Sequence, residues 1–263
     1  MTLIVGIRCR DGIAVGADSA ATLGSGGVMT ITQPTQKIEI IDGTVIVACS
    51  GSVGMAQRIA QRISTLWRDK QLTGDKCRTA VDAGVTISNE IRHDIIAEAT
   101  VAQQVGNVLP SARAFATSAI VAMPIAKQLA LIEFSETGAP EVVPNTVPFV
   151  SIGSGKPLAD PFLGFLRRIF WPDTEPSLAE GSLAAVWTID QCIRTSFAFL
   201  AQPVHIAELR KESGGGFSAH RLSLPELQEH RQQIDSAEAA LNGYKSAKVP
   251  VEAPPEPPPT DNR

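Results

Sequence analysis

Residue 2 is the first place in the chain where a single residue can supply two catalytic functions. Thr2 follows the initiator methionine, and a methionine before a small residue is commonly removed during synthesis. With Met1 gone, Thr2 carries a hydroxyl and a free α-amine. The amine can accept the hydroxyl proton directly or through a water, so the residue is a nucleophile with its own general base. An unperturbed α-amine titrates at about 7.7–8.0. A nearby cation lowers that value and leaves more of the amine neutral. Such a centre attacks a carbonyl and forms an acyl-enzyme. It needs three further parts: a cation, an anion to orient the cation, and an oxyanion hole. A Met-Thr start alone carries little weight, because many chains begin this way.

Other chemistries have less to work with. There is no G-x-S-x-G elbow, no G-x-G-x-x-G after a strand and no G-x-x-x-x-G-K-[ST]. Of the four histidines, His93 falls in a helical stretch, and His220 and His230 lie in the polar C-terminal region; the fourth is His205. Cys9, Cys49, Cys77 and Cys192 form no C-x-x-C pair and have no histidine at metal-ligand spacing. That argues against a structural zinc site. Four scattered cysteines read as reduced core residues of a cytoplasmic protein.

The elements around Thr2 follow from local patterning. Residues 3–9 are apolar and β-branched and form a buried strand that starts at Thr2. Asp11-Gly12 is a two-residue hairpin signal, and residues 13–17 return to end at Asp18. Residues 24–27 are a glycine-rich loop. Residues 37–41, Asp42-Gly43 and residues 44–50 repeat the strand, turn, strand unit. Gly51 to Gly54 is a tight break, after which Met55, Ile59, Ile63 and Leu66 mark one face of a helix with Arg58, Arg62 and Arg68 outside it. Ala83, Ile87, Ile91 and Ile95 give a second helix. Residues 117–123, 128–134 and 147–152 are strand-like, the last ending in Gly153-Ser154-Gly155. Residues 182–200 are expected to be helical and 204–209 to be a strand. Strands flanking helices imply a layered α+β fold, with two sheets between helix layers as one solution.

Bulk properties narrow the partners. The 263-residue chain carries a net charge of -4 and no basic run of five or more; its pI is near 5.6. This balance argues against nucleic acid and membrane surfaces as partners. Apolar residues make up 44% of the chain, enough for a sizeable core, while charged residues are 19%, below the usual quarter or so. A low charged fraction fits surface buried against partners, although the Ala and Gly content explains it equally well. The longest apolar stretch, residues 119–126, is broken by Pro124 and falls well short of a bilayer span. No basic region followed by an apolar core marks a secretory signal, so the expected location is the cytoplasm. After about residue 210 the composition shifts. Residues 213–216 are expected to be a linker and 224–244 a polar helix. Six of the last fourteen residues are proline, which makes an extended, mobile end.

The segments Thr2-Leu-Ile-Val-Gly-Ile, Asp11-Gly12-Ile-Ala-Val-Gly-Ala-Asp18 and Ala21-Thr22-Leu-Gly24 resemble the N-terminus of proteasome β-subunits. They are still more similar to their bacterial relative HslV, the peptidase component of a two-component ATP-dependent protease. The likeness continues through Gln36-Lys37-Ile-Glu-Ile-Ile and Ala48-Cys-Ser-Gly51-Ser-Val-Gly54-Met-Ala-Gln57, and again at Ser151-Ile-Gly-Ser154-Gly-Lys-Pro157. It covers roughly residues 2–208 as one N-terminal-nucleophile hydrolase domain, with 209–263 as a C-terminal extension. The resemblance implies a four-layer αββα sandwich.

It also implies roles. Thr2 corresponds to the nucleophile, Lys37 to the lysine that assists proton transfer, and Asp18 to the carboxylate that fixes this lysine. Gly51 matches the oxyanion donor, whose loss typically costs about 10²–10³ in rate. Ser154 matches the serine near the nucleophile's amine. Thr22 matches a residue whose backbone pairs with the substrate strand, and Cys49 and Val53 then lie at a fairly apolar side-chain pocket. No cofactor is implied for the chemistry. A structural monovalent cation is implied on the carbonyls of Ile189, Cys192 and Thr195.

The chain also departs from the pattern. It is a few residues longer between Gly24 and Lys37, with Gln33-Pro34 near the cleft rim. Residues 191–199 lack the Asp and, three residues later, Ser of the β-subunits. The implied activity is that of a self-compartmentalising threonine endopeptidase, assembled in stacked homo-oligomeric rings and fed unfolded polypeptide by an ATP-dependent unfoldase. A catalytically inactive ring-forming scaffold and an amidohydrolase acting on small amides stand as alternatives.

Overall fold

The computed structural model describes residues 2–25, 28–105, 116–195 and 200–244, with the backbone alone for 22–25, 28–33, 75, 102–103 and 105. The chain opens with β1 (Ile4–Arg8) and β2 (Gly12–Ala17), paired antiparallel; the Cys9 N–H donates to the Gly12 carbonyl, so the turn residues are Arg10 and Asp11, one position before the expected Asp11-Gly12. β3 (Ala20–Ser25) and β4 (Val28–Pro34) follow as a separate two-stranded hairpin. The expected loop at 24–27 is thus shorter: strand structure runs to Ser25 and resumes at Val28, and residues 26 and 27 lie outside the described residues. β5 (Ile38–Ile41) and β6 (Val45–Gly51) form the third hairpin. Asp42 and Gly43 both take positive φ, the conformation a tight hairpin turn requires.

Helices α1 (Val53–Arg68) and α2 (Ala80–Val105) come next, then β7 (Thr117–Ile125), β8 (Gln128–Phe134), β9 (Pro140–Val142) and β10 (Phe149–Ile152). Two helices, α3 (Lys156–Phe170) and α4 (Leu178–Thr195), precede β11 (His205–Lys211), β12 (Phe217–Arg221) and α5 (Leu224–Tyr244). Two five-stranded antiparallel sheets result, with orders β10-β1-β2-β11-β12 and β5-β6-β7-β8-β9.

Strand alternation stacks these sheets into four layers. In β1, Val5 and Ile7 join the core under α3 and α4, while Ile4 faces the other sheet. In β6, Val45 and Val47 meet α1 and α2, while Ile46 and Ala48 face inward. The order is therefore helices, sheet, sheet, helices. This is the αββα sandwich that the resemblance implies.

Three expectations shift. α3 has no counterpart in the sequence reading; Pro157 sits in its first turn and Pro161 lies inside it, which hides the stripe of Ala159, Leu163 and Leu166. α4 begins at Leu178 rather than 182, because Ser177 and Glu180 form a reciprocal capping box. Its described residues end at Thr195. Residues 213–216, expected as a linker, are the turn between β11 and β12. The sheet thus continues past residue 208, and α5 packs Leu227 and Ile234 into the core under α4. The proline-rich end lies outside the described residues. No described helix is long and apolar enough to cross a membrane. The four cysteines are free, and all but the half-buried Cys49 are buried.

Candidate active site

Thr2 stands at the head of β1, and its position is fixed from two sides. Its N–H donates to Ser154 Oγ at 3.2 Å, and its carbonyl accepts from the Gly155 N–H at 3.2 Å. The turn after β10 is therefore laced to the Thr2 backbone. The turn works because Gly153 takes a φ of +93°; a Cβ there would fall 2.2 Å from the Thr2 carbonyl oxygen. On the other side, the N–H of Leu3 donates to Asp18 Oδ1 at 2.9 Å, and the Asp18 N–H returns a bond to the Leu3 carbonyl at 3.1 Å.

Asp18 follows the last residue of β2 and has no solvent exposure. Its Oδ2 accepts from the Ala20 N–H at 2.9 Å and from the Ala201 N–H at 3.4 Å. Its Oδ1 also accepts from Lys37 Nζ at 2.6 Å. The Lys37 side chain is only 7% exposed, a degree of burial uncommon for lysine. Burial pushes its pKa below the ordinary lysine value, and Asp18 opposes that shift without cancelling it.

Lys37 precedes β5 and projects into a cleft of about 400 Å³ whose walls include Thr2, Gly51, Cys49 and Val53. Gly51 ends β6 with a φ of +128°, and a Cβ there would sit 2.1 Å from the Ala116 carbonyl oxygen. No other residue fits at this position. The neighbouring Ser52 N–H is held by Thr117 Oγ1 at 3.1 Å. Burial, helped by Glu39, pushes the Cys49 thiol up to about 12. It is a neutral wall of the cleft, not a rival nucleophile.

The fold therefore gathers Thr2, Lys37, Gly51, Cys49 and Val53 around one cleft, with Asp18 beneath Lys37 and Ser154 against the Thr2 amide. Thr22 lies on β3 opposite Thr32, and the neighbouring Ala20 and Ala21 line the cleft. Pro34 pairs with Ala20 at the base of that hairpin, so the added residues near the rim extend the β3–β4 hairpin.

Ile189, Cys192 and Thr195 lie on the last two turns of α4. The residues that follow, 196–199, lie outside the described residues. Among the described residues, no group of three or more His, Cys, Asp or Glu side chains could hold a metal ion. Sequence reasoning missed Glu39 and Arg221, which also line the cleft. Arg221 arrives from β12, far along the chain, and carries no local signal.

The four layers, with a threonine heading the first strand and a buried Lys–Asp pair beneath the cleft, define the N-terminal-nucleophile hydrolase fold. The chain belongs to the proteasome subunit family, whose model matches residues 2–168. A proteasome subunit beta from Nanoarchaeum equitans is 29% identical over 89 residues, which are 34% of this chain and 44% of that protein. The chain thus spans less than half the length of that relative. Among solved structures, the Anbu (Gly-1) mutant from Hyphomicrobium sp. strain MC1 superposes with a TM-score of 0.68 at 16% identity, over 94% of this chain and 97% of that one. Anbu from Yersinia bercovieri, described as an ancestral beta-subunit, gives 0.67 at 15% identity over 96% and 100%. The helical assembly of the Anbu complex from Pseudomonas aeruginosa gives 0.64 at 17% identity over 99% and 100%. At these identities the likeness is one of fold.

Proposed function

We propose that this protein is a self-compartmentalising threonine peptidase that hydrolyses peptide bonds in unfolded chains through an acyl-enzyme on Thr2. The observation that carries this reading is the buried Lys37–Asp18 pair, tied by Asp18 Oδ1 to the N–H of Leu3, the residue after Thr2. After Met1 is removed, the Thr2 amine takes the hydroxyl proton as Oγ1 attacks the scissile carbonyl. The Gly51 N–H stabilises the oxyanion. The amine then returns the proton to the leaving nitrogen, giving the acyl-enzyme and a released amine. A water, deprotonated by the same amine, cleaves the ester and restores Thr2. Lys37 keeps the local proton affinity low, and Asp18 fixes Lys37. Ser154, already within reach of the Thr2 nitrogen, orients the amine once it is free.

Assembly into a closed chamber fits the uncovered apolar surface. α3 exposes Leu158, Phe165, Ile169 and Phe170, more than a solitary helix normally leaves to water. The helical assembly described for the Pseudomonas aeruginosa Anbu complex is the precedent for self-association. An ATP-dependent unfoldase would supply substrate in the cytoplasm. The carbonyls of Ile189, Cys192 and Thr195 would hold a structural monovalent cation.

Intact mass combined with labelling by an epoxyketone tests the reading. Loss of one methionine and a single adduct on Thr2 are expected. A retained Met1 with no adduct overturns it and favours an inactive scaffold; turnover of small amides but not peptides favours an amidohydrolase.

A further inference from the structure

The Thr2 cleft contains a cation that the peptide-bond chemistry does not use. Arg221 is the last residue of β12, an edge strand of one sheet; β5 is an edge strand of the other. Two bonds join β12 to β5 and the turn that follows it. The Ala219 N–H donates to the Gly43 carbonyl at 2.6 Å, and Arg221 Nη2 donates to the Ile38 carbonyl at 2.7 Å. The guanidinium is therefore held on the strand that carries Glu39, next to Lys37, and it lines the same cleft as Thr2.

Among the described residues no carboxylate pairs with Arg221. One of its five N–H donors is used by the Ile38 carbonyl, and the residue lines the cleft. The other charges there differ. Lys37 is matched by Asp18. Glu39 makes no hydrogen bond to a described residue, so nothing fixes its carboxylate, whereas Arg221 is held in place before any ligand arrives. An anchored guanidinium loses less freedom on binding than a loose side chain and stays charged at every working pH.

We propose that Arg221 is a specificity-determining residue that receives a substrate carboxylate, so that the cleft prefers peptides carrying negative charge. The proposal rests on the peptidase reading for its substrate, but its test does not need turnover. The probe protein is the full chain with Thr2→Ala. The ligands are matched fluorescent peptides, amidated at the C-terminus, with Asp, Asn or Lys at one central position, plus the Asn peptide with a free C-terminal carboxylate. Anisotropy titrations at several salt concentrations give their affinities.

The Asp peptide is expected to bind about five- to tenfold more tightly than the Asn peptide, with an advantage that shrinks as salt rises. Arg221→Gln keeps an N–H for the Ile38 carbonyl but removes the charge, and it should bring the Asp/Asn ratio to about one. Glu39→Gln should raise that ratio by removing a competing negative charge. If the free C-terminal carboxylate confers the advantage instead, and Arg221→Gln abolishes it, the same site takes a chain terminus. An unchanged ratio in Arg221→Gln, or a preference for the Lys peptide, overturns the proposal and leaves Arg221 as a clamp between sheet edges. Epoxyketone labelling separates the two claims. An unlabelled Thr2 with the acidic preference intact removes the peptidase reading alone. A labelled Thr2 with no charge preference removes this proposal alone.

Discussion

Two buried carboxylates meet cations contributed by other elements, and the two pairs do different work. Asp18 meets Lys37 under the cleft, with side chains 0% and 7% exposed. Asp190, on α4, meets Arg231 of α5, with side chains 7% and 32% exposed. The second pair closes a ring: Gln202 donates to Asp190 at 2.6 Å, and Arg231 donates to Gln202 at 2.9 Å as well as to Asp190. That ring ties α5 to the body through an arginine, which cannot release its proton. The first pair uses a lysine whose proton affinity burial has lowered, and it opens onto the cleft beside Thr2. A buried ion pair is therefore not a site by itself. Under the proposed peptidase function, a titratable cation beside Thr2 is what distinguishes the first pair from the clamp.

Replacing the lysine tests that distinction most severely. Lys37→Met should slow Thr2 labelling by about 10²–10⁴. It should also cost about 3–5 kcal/mol in urea unfolding, because Asp18 stays buried without its cation. Lys37→Arg keeps the charge but not the exchangeable proton, so it should recover part of the stability and little of the labelling. If Lys37→Arg labels within about threefold of the natural chain, proton exchange at residue 37 is unnecessary and the contrast between the pairs collapses.

The clamp should behave in the opposite way. Arg231→Met should cost about 1–2 kcal/mol, discounted for the partial exposure of the pair, with Thr2 labelling within about threefold. Hydrogen exchange should show the loss concentrated in α5. A large drop in labelling would mean that the Ala201 contact carries the clamp's state to Asp18.

Lys37 also sets a pH signature. Its folded-state pKa lies below the ordinary lysine value of 10.5, so between those two values the unfolded chain holds more protons. Its contribution to stability therefore rises as pH climbs through that window, and the cost of its burial is fully present below it. Unfolding midpoints measured across the alkaline range should climb more in the natural chain than in Lys37→Met. Equal slopes would show that Lys37 is not perturbed.

Much of this architecture is legible in the sequence, and the failures have physical causes. The Asp42-Gly43 corner betrays the β5–β6 hairpin because few other residues turn so tightly; Asp11-Gly12 locates the β1–β2 hairpin, although its turn residues are Arg10 and Asp11. Four-residue spacing betrays α1 and α2. α3 escapes because Pro157 and Pro161 mimic a break, although Pro157 sits where a helix tolerates proline. A glycine run serves a hairpin turn as well as it serves a linker, so residues 213–216 gave no hint of β12. Thr2 is a candidate from its place after Met1, whereas Asp18 and Lys37 are tied to it only through the ordered resemblance of their segments. Arg221 is invisible because its place in the cleft depends on two sheet edges meeting, a contact no local pattern encodes.

The smallest effect concerns a second group that burial perturbs away from the cleft. His230 of α5 has a buried Nδ1 with no hydrogen-bond partner among the described residues. Burial lowers its pKa below the ordinary 6.5, against the pull of Glu208, Glu229 and Glu226. The folded chain thus prefers neutral imidazole. Its contribution to stability is intact above 6.5, declines as pH falls toward the folded-state value and is fully lost below that. Acidification should therefore loosen α5 before it disturbs the arginine clamp. His230→Leu should flatten the acid side of the stability profile relative to the natural chain, with Thr2 labelling at neutral pH held within about threefold. The informative quantity is the difference between the two profiles. Identical profiles would mean that His230 ionises freely where it sits, and that Arg231 alone governs the seam between α4 and α5.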